Sequence, residues 1–595
     1  MASAGSNDLT SGDKSTGTGW RAPADARANL QSHISIAELQ REGWSGSVVD
    51  NAAFVPGPTA LAAHADFSGV LKLRESEMTI SSATLIQAKA LGRDPTVFPG
   101  VNLEFFTVNG DLVPVTQDVI RSGSTEKGTS FWDIIVQPGQ VWSELGDSGW
   151  SRAAFPFALM NSRAGSTHNG VALFLYRGDQ ISNVRYQIVQ QTASSLVSNF
   201  CAAGSALATF EPARIENVNE LAERYRASLA NRVRFADWSE LAAKVGADRL
   251  EGFDSALPIA DGVAAGIDYR GTFYLQYCRS AGGSLPWRDR ARFGVQSVTK
   301  VLASETALLR LVQKYGPRVF DLKIRDYVPA AAAHPDWESV RFKDAINMAT
   351  GFGNGSACRD PNDALDGYAF SDPSNVTFYE ARSQKEHIEA ILQNSGRYPW
   401  GPGEVTRYRD QDMFILGVAM DNYLKSKEGP TATIWSMLEK EVYEPIGIYY
   451  APTGRTVEAD GRLGHPMMAY GYYPTLGDIV KIARLYQSGG RAAGSQILYP
   501  QGIEALMAGT IPRGLPTGRR TTAGETTYFN AFWETRYRAS GGCDLYVPVM
   551  RGHGGNMVVL MPHELTAVRL AKNPDEVADP TSIFTTGDRI AAFCD

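Results

Sequence analysis

Apolar positions along the chain follow two regimes that change near residue 212. Before it, short apolar runs are broken by turn residues, as in "VNLEFFTVNGDLVPV", "FWDIIVQPGQVW" and "GVALFLYRGDQISNVRYQIVQQTA". Such runs predict strands, and the last reads as a hairpin turning at Gly178-Asp179. Residues 29–211 are therefore expected to form a β-rich N-terminal domain, a sandwich or a small barrel. Residues 212–254 carry "IENVNELAERYRASLANRVRFADWSELAAKVGADRL", whose helical period predicts a helical bridge. "GIDYRGTFYLQYC" then predicts a strand pair. From there to residue 595 helices and short strands mix, the pattern of an α+β or α/β domain. No internal repeat at a period of about 20–50 residues is visible.

The segment "ARFGVQSVTKVLASETALLRLVQKYGP", residues 291–317, has the clearest helical period. Val298, Val301, Leu302, Leu308, Leu309 and Val312 recur at three- and four-residue spacing, and Gly316-Pro317 supplies a stop. Ser297 would open this helix, with Lys300 one turn on and on the same face. Serine is a preferred N-cap, and a lysine at the third position often faces water. The chemical reading is a nucleophile with a neighbour that takes or manages its proton. The same spacing occurs at Ser11 and Lys14 and at Ser124 and Lys127, but neither pair opens an apolar helix.

Composition narrows the function classes. In 595 residues, 43% are hydrophobic and 20% charged, with a net charge of -7. The length suggests about two to four domains. An acidic balance argues against a nucleic-acid surface, and no apolar run is long enough to span a membrane. The five cysteines include no CxxC spacing, and their odd count leaves room for one or two disulfides. The eight histidines show no metal-ligand spacing, so no metal is expected, and no cofactor. The polar opening stretch, residues 1–28, is expected to be a flexible tail. It has neither a basic n-region nor an apolar h-region, so no export signal is expected in it.

Two further segments bear on Ser297. In "PWGPGEVTRYRDQDMFILGVAMDNYL", Tyr408-Arg409-Asp410 precedes an apolar-periodic helix containing Phe414, Ile415, Val418 and Ala419. In "VPVMRGHGGNMVVLMPHELTAVRLAKNPD", two strands joined at Pro562-His563-Glu564 follow Gly552-His553-Gly554-Gly555. Glycines at a strand start allow close approach to the backbone, or mark a bulge.

With these motifs in order, residues 255–595 resemble the serine β-lactamase and penicillin-binding-protein superfamily, within it the branch of class C β-lactamases, D-aminopeptidases and family VIII carboxylesterases. "FDLKIRDYVP", "VRFKDAINMATGF", "YEPIGI" and "GYYPTLGDIVKIARLYQSGG" resemble family segments between the motifs. The resemblance implies an α+β catalytic domain, an antiparallel sheet flanked by helices plus an all-helical region. It implies that Ser297 is acylated, that Lys300 lies against it, and that Tyr408 is the base. It also implies an oxyanion hole from the backbone N–H groups of Ser297 and Asn556, with Asp410, His553, Gly554 and Gly555 binding substrate. Two departures matter. Asp410 replaces the usual asparagine of the second motif, and a carboxylate there would hold Lys300 charged. His553-Gly554-Gly555 replaces Lys-Thr-Gly, which weakens carboxylate recognition unless Arg551 or Arg409 restores it.

The expected activity is therefore a serine hydrolase on a small-molecule ester. The alternatives are an amide hydrolase (β-lactamase, D-aminopeptidase, D,D-peptidase or linear oligoamide hydrolase) and a non-catalytic binding or sensor protein on the same fold. A homo-oligomer is compatible with each. The resemblance implies a periplasmic or secreted protein, with a cytoplasmic one as the alternative. The N-terminal aromatics Phe131, Trp132, Trp142, Trp150, Phe155 and Phe157 read as core, and no activity is assigned to that domain.

Overall fold

A computed structural model describes residues 33–41, 46–84, 93–122, 128–161, 163–193, 196–353, 373–394, 396–522, 524–573 and 579–594. The expected tail, the Ser11/Lys14 and Ser124/Lys127 pairs and Cys358 lie outside them.

The first sheet has twelve strands. They are β1 (Gly69–Leu73), β2 (Thr79–Thr84), β3 (Val101–Val108), β4 (Asp111–Pro114), β5 (Asp133–Val136), β6 (Gly139–Trp142), β7 (Ser151–Met160), β8 (Thr167–Arg177), β9 (Gln180–Ile181), β10 (Val184–Gln191), β11 (Ser198–Ala206) and β12 (Ala208–Pro212). Their order is β12-β1-β3-β4-β6-β7-β8-β10-β11-β2, with β5 on β7 and β9 on β8. Leu207 alone joins β11, near one end of this order, to β12 at the other. A link so short requires the sheet to be rolled, so the structure is one curled sheet and not a two-sheet sandwich.

Every residue of β7 is buried, and so are the first ten of β8, because both faces of these strands are covered. Ala153, Phe155, Ala172 and Phe174 point into the roll with Phe67 and Phe105. Ala154, Val171, Leu173 and Leu175 point outward under Ile34, Leu39 and Phe54. This alternation is the period of two expected of strands. Five of the six N-terminal aromatics are buried, and Trp150 is half-buried beneath the Arg177 guanidinium.

Two helices, α1 (Val218–Ala230) and α2 (Trp238–Val245), follow. Between them a strand, β13 (Arg234–Asp237), interrupts the expected helical stretch. It pairs in parallel with Thr272–Leu275, and the Phe235 and Phe273 rings meet edge to face. The second sheet continues with β14 (Gly262–Tyr269), β15 (Thr272–Ser280), β16 (Gly283–Ser284), β17 (Leu515–Thr521), β18 (Gly524–Phe529), β19 (Phe532–Arg538), β20 (Asp544–Gly552), β21 (Asn556–Met561) and β22 (Leu565–Ala571). Its order is β13-β15-β14-β22-β21-β20-β19-β18-β17, with β16 on β15. The predicted hairpins at 262–280 and 556–571 are both present, the second turning through His563 and Glu564 at positive φ.

The helices that position the site are α3 (Thr306–Tyr315), α4 (Pro373–Glu380), α5 (Asp410–Glu428) and α6 (Leu476–Gln487), and α7 (Thr581–Ile590) follows the last strand. Helix α6 begins with a capping box in which Thr475 and Asp478 bond each other's backbone N–H at 3.0 Å. Asp478 also accepts from Arg292 at 2.8 Å, which ties the helix to the approach to Ser297. A disulfide joins Cys543 to Cys594. Among the described residues no helix is long and apolar enough to cross a membrane.

Candidate active site

Ser297 does not open a regular α-helix. It lies in a 3-10 turn, Gln296–Val298, followed by a π-helical stretch, Lys300–Glu305, and only then by α3. The expected amphipathic stripe fails here because every residue from Lys300 to Glu305 is buried. A π turn widens the helix and leaves carbonyls out of register. Side chains fill in: the Thr306 hydroxyl donates to the Val301 carbonyl and the Tyr443 hydroxyl to that of Leu302, both at 2.8 Å. No side chain caps the 3-10 turn, so the N-cap reading of Ser297 is not the one observed.

Gln296, just before Ser297, has φ of 52°, a left-handed conformation that is costly for a non-glycine residue. Its side chain is held from outside the catalytic sheet: Nε2 donates to the carbonyls of Ala164 and Ala193, each at 2.9 Å. Gly294 N–H donates to the Thr167 hydroxyl at 3.0 Å. The N-terminal rolled sheet thus forms one wall of the turn that carries Ser297.

Lys300 Nζ donates to Ser297 Oγ at 2.7 Å, to Asp410 Oδ1 at 2.5 Å and to the Ala469 carbonyl at 3.3 Å. The lysine side chain is 1% exposed and the aspartate 7%. Burial alone would pull the ammonium pKa down. The charge of Asp410, then Tyr408, outweighs burial and leaves Lys300 above its ordinary value. Lys300 is therefore an ammonium. Tyr408 hydrogen-bonds to Ser297 and Lys300, and Lys300 Nζ lies 4.6 Å from the centre of its ring. Burial pushes the phenol above its ordinary value, and the opposing charge of Lys300 does not cancel that rise.

Asp410, expected to bind substrate, has both oxygens engaged by the protein. Oδ1 takes Lys300, and Oδ2 accepts from the Tyr379 hydroxyl of α4 at 2.7 Å. Arg409 is paired within the protein. It is fully buried beside Asp412, with Nε 3.7 Å from Oδ1, and so does not face a substrate. Arg551 does border the site: its guanidinium lies 5.0 Å from the Trp533 ring centre and donates to Thr535 Oγ1 at 3.2 Å. Trp533 in turn stacks on Tyr408, ring centres 5.5 Å apart.

His553, Gly554 and Gly555 form a short turn between β20 and β21, with Gly554 at φ 79°. A side chain at Gly554 would collide with Ala193 Cβ at 1.9 Å, so this turn also abuts the N-terminal sheet. A side chain at Gly552 would meet the Val295 carbonyl at 2.4 Å, which shows how tightly the start of β21 lies against the Ser297 turn. Asn556 begins β21 there, its side chain fixed by the His553 carbonyl and the Ala571 N–H. The structure thus brings together Ser297, Lys300, Tyr408 and Asp410, with His553–Asn556 bordering the same turn.

Tyr379, Trp533 and Gln296 escaped the sequence reading. Tyr379 and Trp533 belong to no motif, and Gln296 gains its role from partners more than 100 residues away.

The Beta-lactamase family model matches residues 256–568, more than half of the chain. The chain belongs to this family of serine hydrolases, on the β-lactamase/transpeptidase fold. Three solved structures illustrate the likeness. A penicillin-binding protein from Bacillus halodurans is 15% identical, covering 58% of this chain and 98% of its own, at a TM-score of 0.38. EstCE1, described as a hydrolase with promiscuous acyltransferase activity, is 13% identical, covering 62% and 98%, at 0.39. A D-stereospecific amidohydrolase from Streptomyces sp. is 13% identical, covering 56% and 97%, at 0.36. No curated protein matches the chain.

Proposed function

We propose that the chain is a carboxylesterase that works through an acyl-enzyme on Ser297. The observation that carries this reading is Ser297 Oγ at 2.7 Å from an ammonium that Asp410 keeps charged. A charged Lys300 has no lone pair to accept the serine proton, so its part is to stabilise negative charge. Tyr408, as phenolate, is the base. Ser297 Oγ forms a bond to the ester carbonyl carbon while its proton passes to Tyr408. The carbonyl π electrons move to oxygen, where the backbone N–H groups of Ser297 and Asn556 receive them. As the carbonyl re-forms, the C–O bond to the alcohol breaks and the Tyr408 proton goes to the departing oxygen. Water then repeats the sequence on the acyl-serine, releasing the acid.

Ester is favoured over amide on two grounds. Asp410 is engaged and accepts only, so it does not donate to a substrate amide oxygen. Gly554 has no hydroxyl to hold a substrate carboxylate. An amide hydrolase is the second reading, supported by Arg551 beside the Trp533–Tyr408 stack, where it would suit a carboxylate. The Cys543–Cys594 disulfide supports an oxidising compartment, periplasmic or extracellular.

The test compares kcat/KM for p-nitrophenyl butyrate, a chromogenic cephalosporin and D-alanine p-nitroanilide. The ester should be turned over fastest. Faster turnover of either amide would make the chain an amidase, and no turnover of any would favour a binding protein on this fold.

A further inference from the structure

A second site lies in the seam between the rolled sheet and the catalytic domain. A cavity of about 250 Å³ there is lined by Arg93, Arg121 and Arg163 from the N-terminal side and by Arg382 and Arg455 from the other. Among the described residues the one carboxylate in its wall is Asp133. Five guanidiniums thus face one acid.

Among the described residues none of the five arginines forms an ion pair, and the side-chain hydrogen bonds of four go to carbonyls. Arg93 donates to Ser130 and Arg163 to Glu380, both at 3.2 Å; Arg455 donates to Gly464 at 3.4 Å and Arg121 to Gly461 at 3.5 Å. Carbonyl partners orient a guanidinium without neutralising it. Asp133 is itself occupied, its Oδ1 accepting the Ser122 N–H at 3.0 Å. Burial pushes its carboxyl up, with Arg121 and Arg93 opposing. Burial and then Arg382 pull the Arg163 pKa down, the mark of like charges held together. Outside the cavity wall, Glu380 and Glu386 act on Arg163, and Asp118, Glu439 and Asp421 on Arg455.

Like charges gathered in a recess raise the local concentration of counter-ions, and guanidiniums suit oxyanions because they bond in pairs. We propose that this seam is a binding site for a small anion of charge two or more, a phosphate group or clustered carboxylates, bridging the two parts of the chain. The site is separate from the reacting atoms. Its wall includes Tyr379, whose hydroxyl donates to Asp410 Oδ2 at 2.7 Å, so an anion there lies against a side chain two hydrogen bonds from Lys300.

The test is isothermal titration of the full chain with inorganic phosphate and, separately, with citrate, at ionic strength matched by NaCl. Thermal melting under the same conditions provides a second readout. Wild type should show saturable binding to one site and a melting point raised by a few degrees over the NaCl control. Preference for phosphate identifies a phosphoryl ligand, and preference for citrate a polycarboxylate. Arg382→Ala and Arg163→Ala should each weaken binding about tenfold, the effect of losing one charged partner. Arg382 is exposed, so its variant keeps the fold and decides the matter if Arg163→Ala does not fold. Heats and melting shifts no larger than those of NaCl, or unchanged in Arg382→Ala, would overturn the proposal.

Discussion

Lys300 and Asp410 form a buried ion pair, Nζ to Oδ1 2.5 Å, within a cluster that also binds Ser297 Oγ. In the proposed mechanism this pair decides which group takes the serine proton. Asp410→Asn keeps hydrogen-bonding atoms toward Lys300 and Tyr379 but removes the charge. Burial then acts on Lys300 unopposed by Asp410 and lowers its pKa. The pH at which kcat/KM levels off should fall in this variant, as a neutral amine becomes available. Asp410→Ala removes the same charge and also leaves the Lys300 and Tyr379 donors without a partner, so it should be less stable than Asp410→Asn by about 1–3 kcal/mol. A pH profile and a urea titration of the two variants separate these effects.

In the proposed mechanism Tyr408 carries the pH dependence of the wild type. Burial first, opposed by Lys300, leaves its phenol above the ordinary value of 10.0. Only the phenolate accepts a proton, and below the pKa its fraction grows about tenfold per pH unit. Ester kcat/KM should therefore climb steadily into alkaline pH, with no plateau near neutrality. Tyr408→Phe should lose that limb and at least about 100-fold in rate, the usual contribution of a positioned base. A stopped pH series with both proteins checks this.

Gln296 is held in a left-handed turn by two N-terminal carbonyls. Gln296→Ala removes both bonds and keeps the unfavourable φ, whereas Gln296→Gly removes the bonds and relieves it. Each buried carbonyl left without a partner costs about 1–3 kcal/mol. Both variants should melt earlier than wild type, with Ala the lower, and ester kcat should fall as the Ser297 turn loosens. Melting curves and initial rates read the two effects.

Asp412 tests linkage away from the reacting atoms. Burial raises its carboxyl from 3.8 to about 6, despite Arg409 and the Thr350 hydroxyl at 2.9 Å. Between about pH 4 and 6 the folded chain then holds more of this proton than the unfolded chain does. Its contribution to stability is full below about pH 4 and is lost as the pH rises through 6, on the order of 3 kcal/mol. Asp412→Asn should remove this slope, seen as a smaller difference between urea midpoints at pH 4.5 and pH 7 than in wild type.

Particular residues show what could be read from the chain alone. Ser297, Lys300 and Tyr408 were legible because each belongs to a short motif of fixed spacing. The effect of Asp410 on Lys300 followed from a one-residue departure in such a motif. Its engagement with Tyr379 did not, since nothing local marks that tyrosine. The π turn was hidden because its residues are buried all round, which leaves no stripe to betray a change of period. The strands at 167–191 were visible as apolar runs about a turn at Gly178-Asp179, but the rolling of the sheet rests on pairings between distant segments. The grip on Gln296 spans 132 and 103 residues, beyond the reach of any local pattern.

The most direct measurement is intact mass after brief exposure to a serine-reactive phosphonate, comparing wild type with Ser297→Ala while p-nitrophenyl butyrate turnover is followed in parallel. Wild type should gain one adduct, mapped to the peptide containing Ser297, and lose turnover in proportion. Ser297→Ala should neither gain mass nor hydrolyse the ester. Labelling or turnover that survives in Ser297→Ala would contradict the assignment of Ser297 as the nucleophile.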